Sequence, residues 1–279
     1  MKSYRKMTYP YVVWISVMIV LPMFMIMFYA FTKTGNSVVQ FKFTVDNFLR
    51  FFSDRIFLDV LVRSLRVALV TTIVCILLGY PAAYYIAKCS EGLKMKWVLI
   101  ITFPTWINML VRTYAWIGIL QDDGVINKFL GFFGIGPVTM MYTEFAVILG
   151  MVYNFIPFMI LQIYTSLTKM DYSLIEAAQD LGADRLRCFT KVTLPLSLPG
   201  VISGITLVFL PAVSSFCIPK LLGGGQYVLV GNVIESQFLT SGDWNFGSAI
   251  SLIMAIIIMI SLYVTKKVDK SEIQERSAT

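Results

Sequence analysis

The side chains capable of chemistry are few, and their types exclude most of it. No histidine occurs among the 279 residues, which removes the commonest metal ligand and general base, and with them Ser-His-Asp and Cys-His catalysis. The four cysteines do not replace it: Cys75 and Cys217 fall in apolar runs, Cys89 and Cys188 in polar loops, and no pair has metal-ligand spacing. The sequence contains no G-x-x-x-x-G-K-[ST] phosphate loop, so any ATP that drives this protein is bound by another chain. What is left is non-covalent. Glu144, Glu235, Asp243 and the pair Asp122-Asp123 stand at or beyond the ends of apolar runs, where they either draw cations toward an entrance or sit solvated in loops. Arg112 lies inside an apolar run, where a base is expensive and is usually paired or functional. A structural ion pair with one of those acids is expected.

The elements that must position these groups are membrane spans. With 57% hydrophobic and 14% charged residues the chain has too little polar surface to cover a soluble globule. Runs of about 20 apolar residues cross a bilayer, and Met7–Thr32, Val67–Ala87, Trp97–Gln121 (with Arg112), Phe145–Thr168, Val192–Pro219 and Trp244–Thr265 qualify. Six spans in one domain, residues 1–279, are expected. Pro195 and Pro199 predict that the fifth span proper begins around Leu198. The first span begins with Lys2, Arg5 and Lys6 as a secretory signal would, but it is long and no small-x-small cleavage site follows, which predicts a retained span.

Basic residues set the orientation. An inside N-terminus puts Lys2, Arg5, Lys6, Lys88, Lys94, Lys96, Lys169, Arg185, Arg187, Lys191, Lys266, Lys267, Lys270 and Arg276 in the cytosol, and Lys33, Lys42, Arg50, Arg55, Lys128 and Lys220 outside. Both termini are therefore expected to be cytosolic. The net charge of +7 is dispersed around spans rather than gathered on a soluble face, so it signals topology and not nucleic acid.

Between the fourth and fifth spans lies a polar insert, residues 169–197. Ser173 followed by Glu176 reads as a capping box that starts a helix. Leu174, Ile175, Ala178 and Leu181 fall on one face at helical spacing, and Gly182 is placed to end the helix in a left-handed turn. Asp184 is placed to cap a second short helix. A helix of about eight residues is unstable alone in water, so its apolar face leans on its own bundle or on a partner.

The spacing Glu176-Ala177-Ala178, three residues, Gly182, nine residues, Val192, one residue, Leu194-Pro195 resembles the cytosolic loop of ABC importer permeases, with Val192 where isoleucine is usual. The stretches Leu78-Gly79-Tyr80-Pro81-Ala82, Phe103–Arg112, Gly231-Asn232-Val233-Ile234 and Asp243–Gly247 resemble the B-type permeases of spermidine/putrescine importers. The resemblance implies an all-α membrane protein of the type I (MetI-like) architecture in a bacterial plasma membrane. It makes Ser173, Leu174, Glu176, Ala177, Ala178, Leu181, Gly182, Leu194 and Pro195 the coupling element that docks on an ATPase. ATP and Mg are then bound by two ATPase subunits, with no cofactor in this chain. The other implied partners are a homologous C-type permease and an extracellular or periplasmic polyamine-binding protein.

A polyamine needs carboxylates or aromatic faces, each face supplying roughly 0.5–2 kcal/mol. Trp106 is the first candidate, because nine residues of helix past Trp97 carry it about 14 Å deeper, away from the interfacial belt; helix packing is the competing explanation. Asn108, Tyr153, Asn154, Ser214, Ser215, Phe216 and Glu235 complete the candidate path, although polar residues in spans also simply bridge helices. Two other functions compete: a permease for another solute such as an anion, for which Arg112 is a natural ligand, and an intramembrane enzyme or ion-driven carrier. The missing histidine and the absence of paired acids within spans oppose the last. Two outer segments have open roles. Lys220–Asp243, with Gly223-Gly224-Gly225, is either a flexible turn or a re-entrant gate or docking surface, and Lys33–Asp59, with aromatic Phe41–Phe52, is placed to cap the bundle.

Overall fold

The computed structural model describes residues 2–33 and 42–278, with side chains described over 9–33 and 42–267. Lys2, Arg5, Lys6, Lys270 and Arg276, and Phe41 of the first outer segment, lie outside the described side chains. The chain is helical along nearly all of its length: α1 (Lys2–Ala30), α2 (Asp46–Ser53), α3 (Arg55–Lys88), α4 (Glu91–Thr102), α5 (Met109–Leu120), α6 (Val125–Phe132), α7 (Glu144–Thr168), α8 (Ser173–Asp180), α9 (Arg185–Cys188), α10 (Leu194–Ser214), α11 (Cys217–Leu222), α12 (Val230–Ser236) and α13 (Trp244–Ala278). Five stretches are long and apolar enough to cross a membrane: Tyr9–Ala30, Arg55–Ala87, Glu144–Thr168, Arg185–Ser214 and Trp244–Lys267. A bent pair, Glu91–Trp106 with Met109–Phe132, makes the sixth when counted as one.

Two expectations need correction here. The third span is not straight: its halves meet at 92°. Pro104 opens a tight turn over Phe103–Trp106, Ile107 goes extended (ψ 138), and the Asn108 side chain caps the new helix by accepting from Leu110 N at 2.8 Å. The fifth span does not begin near Leu198. Helix α10 starts at Leu194, with Pro195 in its first turn. A π-helical turn, Phe189–Thr193, joins it to α9 without a gap. The same span ends at Ser214 rather than Pro219, because Ser215 leaves the helix (ψ 132) and α11 restarts at Cys217.

The core is the three-helix contact of α3, α7 and α10. Lipid gives apolar helices no reason to prefer one another over its own chains, so close backbone approach must supply the packing. Glycine permits it: a Cβ at Gly200 would meet Ser166 Cβ at 2.4 Å and Gln162 O at 2.8 Å, and one at Gly204 would meet Met159 Sδ at 2.5 Å. Around this core the other elements are fastened by specific bonds. Helix α1 packs along α13. Its last turn is held by two amides, with Asn47 Nδ2 donating to Ala30 O and Thr32 O at 3.0 Å and Asn245 Nδ2 donating to Tyr29 O at 3.0 Å and Thr32 O at 2.8 Å.

Replacing Gly200 by Val should overpack the α7–α10 contact at a cost of about 1–3 kcal/mol. Thermal melting of the purified protein in detergent should then drop, whereas Val at Gly118, where a Cβ meets nothing within 4 Å, should leave the midpoint near that of the parent.

Candidate functional site

The insert folds as two short helices with both ends of the first closed by hydrogen bonds. Helix α8 begins at Ser173 as expected, but the agent differs. Asp171 Oδ1 accepts from Ser173 N at 3.0 Å, and the cap position, Tyr172, makes no side-chain bond. The Ser173–Glu176 box is thus replaced by an acid two residues upstream, which also accepts from the Ser173 hydroxyl; these bonds hold the Asp171 carboxyl below its ordinary pKa. At the other end Gly182 is left-handed (φ +81). Gly182 N donates to Gln179 O at 2.8 Å and Ala183 N to Ala178 O at 3.0 Å, the paired bonds of a Schellman motif. Asp184 caps α9, its Oδ1 accepting from Arg187 N at 2.8 Å.

The apolar residues of α8 do not share one fate. Ile175 is buried, while Leu174 is 47% and Leu181 90% exposed; Glu176 and Ala177 are exposed and Ala178 is half-buried. Ile175 faces a hollow of about 310 Å³ bounded by Tyr84, Lys88, Tyr172, Arg185, Phe189 and Thr193, among others. From there an aromatic joint leads into the bundle. Phe189 meets Tyr80 and Tyr84 edge-on at 5.8 and 5.5 Å, and the Tyr80 hydroxyl bonds Ser197 Oγ at 2.8 Å. Leu194 and Pro195 are half-buried at the root of α10. The sequence reading missed Asp171 and this joint, although the spacing Tyr80–Tyr84, one helical turn, was visible.

The candidate path residues are distributed over two helix breaks and the packing beside them. Trp106 is 75% exposed at the bend of the third span, beside Phe103 at 6.2 Å, and Asn108 is spent as the cap described above. Ser214 and Phe216 are exposed at the break after α10 while Ser215 is buried, its Oγ without a hydrogen-bond partner. That break is held by Gly231, whose absent Cβ lets the Ser214 and Ser215 carbonyls approach, and by Asn232 Nδ2, which donates to Phe216 O at 2.7 Å. Asn154 is buried and donates to Gly150 O at 2.8 Å within its own helix, so it faces the packing and not an open path. Tyr153 is half-buried against Trp116 at 5.4 Å.

The expected ion pair of Arg112 is not formed among the described residues. Its Nε and Nη1 are buried without a hydrogen-bond partner, and its guanidinium lies 6.0 Å from the Tyr153 ring centroid. Three of the proposed acids are engaged elsewhere: Glu144 with Arg66, Asp243 with Arg50 at 3.0 Å, and Glu235 with Lys220 at 2.7 Å. Sequence separation hid the first two of these pairs.

The family described as "Binding-protein-dependent transport system inner membrane component" matches residues 1–270. The chain is 39% identical over 254 residues to the spermidine/putrescine transport system permease protein PotB of Escherichia coli (strain K12), covering 90% of this chain and 92% of that one. It is 36% identical over 260 residues to PotB of Haemophilus influenzae, covering 92% and 91%. A crystal structure of a bacterial ABC transporter involved in alginate import shares the fold, with TM-score 0.76 at 18% identity over 96% of this chain and 95% of that one.

Replacing Asp171 by Ala should remove the cap of α8. Hydrogen exchange at the amides of residues 173–175 should speed up. Because the Asp171 pKa is lowered on folding, its contribution is present at neutral pH and is lost only as pH falls through and below the ordinary carboxylate range, so the parent's protection at these amides should fade there.

Proposed function

The chain belongs to the inner membrane components of binding-protein-dependent transport systems, and we propose that it is the B-type permease subunit of an ATP-driven polyamine importer. In this reading residues 1–279 form one transmembrane domain with both termini cytosolic, and residues 169–197 are its coupling loop. Two ATPase subunits bind ATP and Mg, a C-type permease completes the passage, and a polyamine-binding protein delivers spermidine or putrescine from outside. The permease itself performs no covalent chemistry.

The observation that carries the coupling role is α8 itself. It is capped at both ends, yet Leu174 and Leu181 are left in water. An eight-residue helix with an exposed leucine in its first turn and another just past its end is a surface prepared for another protein. Force on it passes through Phe189 to Tyr80 and Tyr84 of α3, and through the continuous backbone from α9 into α10. Closing of the ATPases would draw the loops of two permeases together and open the bundle outward, and hydrolysis would reset it.

For the substrate, the support is the identity to PotB relatives together with the two helix breaks. Helix α10 ends at Ser214 and the turn before α5 ends at Trp106, and the carbonyl end of a helix carries partial negative charge that favours cations. Exposed aromatic faces stand at both, Trp106 and Phe216. With Asn108, Tyr153, Ser214 and Ser215 beside them and Glu235 toward the outside, they form the proposed path; Asn154 serves by shaping it. One observation favours an anion instead: Nε and Nη1 of Arg112 are buried without a hydrogen-bond partner among the described residues.

Uptake separates these readings. Membranes holding the full assembly should accumulate labelled spermidine only with ATP and the binding protein. Accumulation of an anion in place of spermidine would identify Arg112 as a ligand. Trp106→Ala should lower spermidine uptake by about two- to thirtyfold, the factor that roughly 0.5–2 kcal/mol gives. Gly182→Val, which forces a branched side chain into the left-handed region, should abolish copurification with the ATPase while the permease still inserts.

A further inference from the structure

At the end of the bundle away from the insert, where α3 begins and α11 and α12 follow the break in α10, a cavity of about 410 Å³ is lined in part by Phe57, Lys220, Tyr227, Asn232, Glu235 and Gln237. Its charges are unequal in depth. The Glu235 side chain is only 19% exposed, whereas Lys220 is 60% exposed and reaches in to place Nζ 2.7 Å from Glu235 Oε1. A sheltered carboxylate is thus held by an ammonium that belongs to the rim. The wall behind it is fixed, because the Asn232 amide is fully engaged, accepting from Leu229 N at 3.2 Å and donating to Phe216 O at 2.7 Å.

The neighbouring hollow is lined in part by Asp59, Arg63, Arg66 and Tyr227, its two guanidiniums balanced by Asp59 and by Glu144, which pairs with Arg66. Arg63 lies 5.2 Å from the Tyr227 ring centroid, and the Tyr227 hydroxyl accepts from Arg66 at 3.1 Å. Tyr227 therefore separates this charge-balanced hollow from one whose more sheltered charge is the Glu235 carboxylate.

A lysine side chain ends in a primary alkylammonium, which is also what terminates a polyamine. A carboxylate that binds the one at hydrogen-bond distance has the geometry to bind the other, and the exchange costs little: one ammonium–carboxylate bond is lost and one formed, while Lys220 is released to water. We propose that this cavity is an exchange site at which a substrate's terminal ammonium displaces Lys220 from Glu235 on its way to the break at Ser214–Phe216. The site rests on the polyamine reading above and deepens it by assigning Lys220 as a resident stand-in for substrate. The link to the break is short, since Asn232, three residues before Glu235 on the same helix, donates a hydrogen bond to Phe216 O.

The test is labelled putrescine uptake, at subsaturating concentration, by the complete transporter in proteoliposomes, with assembly of each variant checked by copurification. The expected result is that Glu235→Gln lowers uptake at least fivefold, that Lys220→Met leaves it at or above the parent level because the competitor is gone, and that the exchanged pair Lys220→Glu with Glu235→Lys fails to restore it. A pair that merely braces α11 against α12 would behave in reverse: Lys220→Met would impair uptake and the exchanged pair would rescue it, which would overturn the proposal. Full uptake by Glu235→Gln would overturn it as well while leaving the polyamine reading intact. A parent assembly that accumulates no putrescine or spermidine would remove both. Should Glu235→Gln not assemble, Lys220→Met and the exchanged pair still give opposite answers under the two alternatives.

Discussion

Helices α7 and α10 lie so close that Gly200 has no room for a methyl group against Ser166 and the Gln162 carbonyl, and the rest of the architecture depends on that contact. In lipid the hydrophobic effect that assembles soluble cores is absent between spans, so association rests on dispersion at short range and on hydrogen bonds with no water to compete. Small residues make the short range possible, and α3 completes the core from the other side. Everything with a proposed role hangs from these three helices. The insert follows α7 and runs into α10, the break at Ser214–Phe216 is the far end of α10, and the aromatic joint at Phe189 rests on α3.

Ion pairing distributes the outer elements around this frame. Exposed pairs contribute only about 0–1 kcal/mol each, so Arg50–Asp243, Arg66–Glu144 and Lys220–Glu235 do little for overall stability. Their effect is geometric: each fixes one element's end against another, α2 against the start of α13, α3 against the start of α7, and α11 against α12. Arg112 is the exception. A guanidinium with two buried nitrogens and no hydrogen-bond partner for them among the described residues retains a large desolvation cost.

How much of this could be read in the sequence follows from which features are local. The spans were legible because apolar runs of sufficient length leave few alternatives: α1, α7 and α13 lie on the predicted runs, and α3 covers Val67–Ala87 but begins earlier, at Arg55. The termination at Gly182 and the cap at Asp184 were legible because each is a single-residue requirement of the backbone. The start of α8 was placed correctly for the wrong reason. Asp171 and Ser173 are both good caps two residues apart, and sequence cannot say which oxygen turns toward the free amides. The bend at residues 107–108 was missed because hydropathy does not change across it; Pro104 and Asn108 were the available signals. The break at Ser215 was concealed the same way, and its determinants, Gly231 and Asn232, lie beyond it in the chain. The acids' partners were out of reach for a simpler reason: 193 residues separate Arg50 from Asp243 and 78 separate Arg66 from Glu144.

The insert is a segment with almost no core of its own. Nucleating eight residues of helix in water is unfavourable, and only Ile175 among its apolar residues is buried. Two features offset this. Hydrogen bonds close both ends, through Asp171 at the start and the Gly182 turn at the finish, and beyond the short turn at residues 181–184 the chain runs through α9, a π-helical turn and α10 without an intervening coil. A flexible linker would absorb displacement as loop entropy. A continuous helix instead passes it to the span, and Phe189, wedged between Tyr80 and Tyr84, shares it with α3. In the proposed coupling role, motion imposed on Leu174 and Leu181 would be carried through α9 into α10 and through Phe189 to α3, the two helices whose contact with α7 fixes the shape of the bundle.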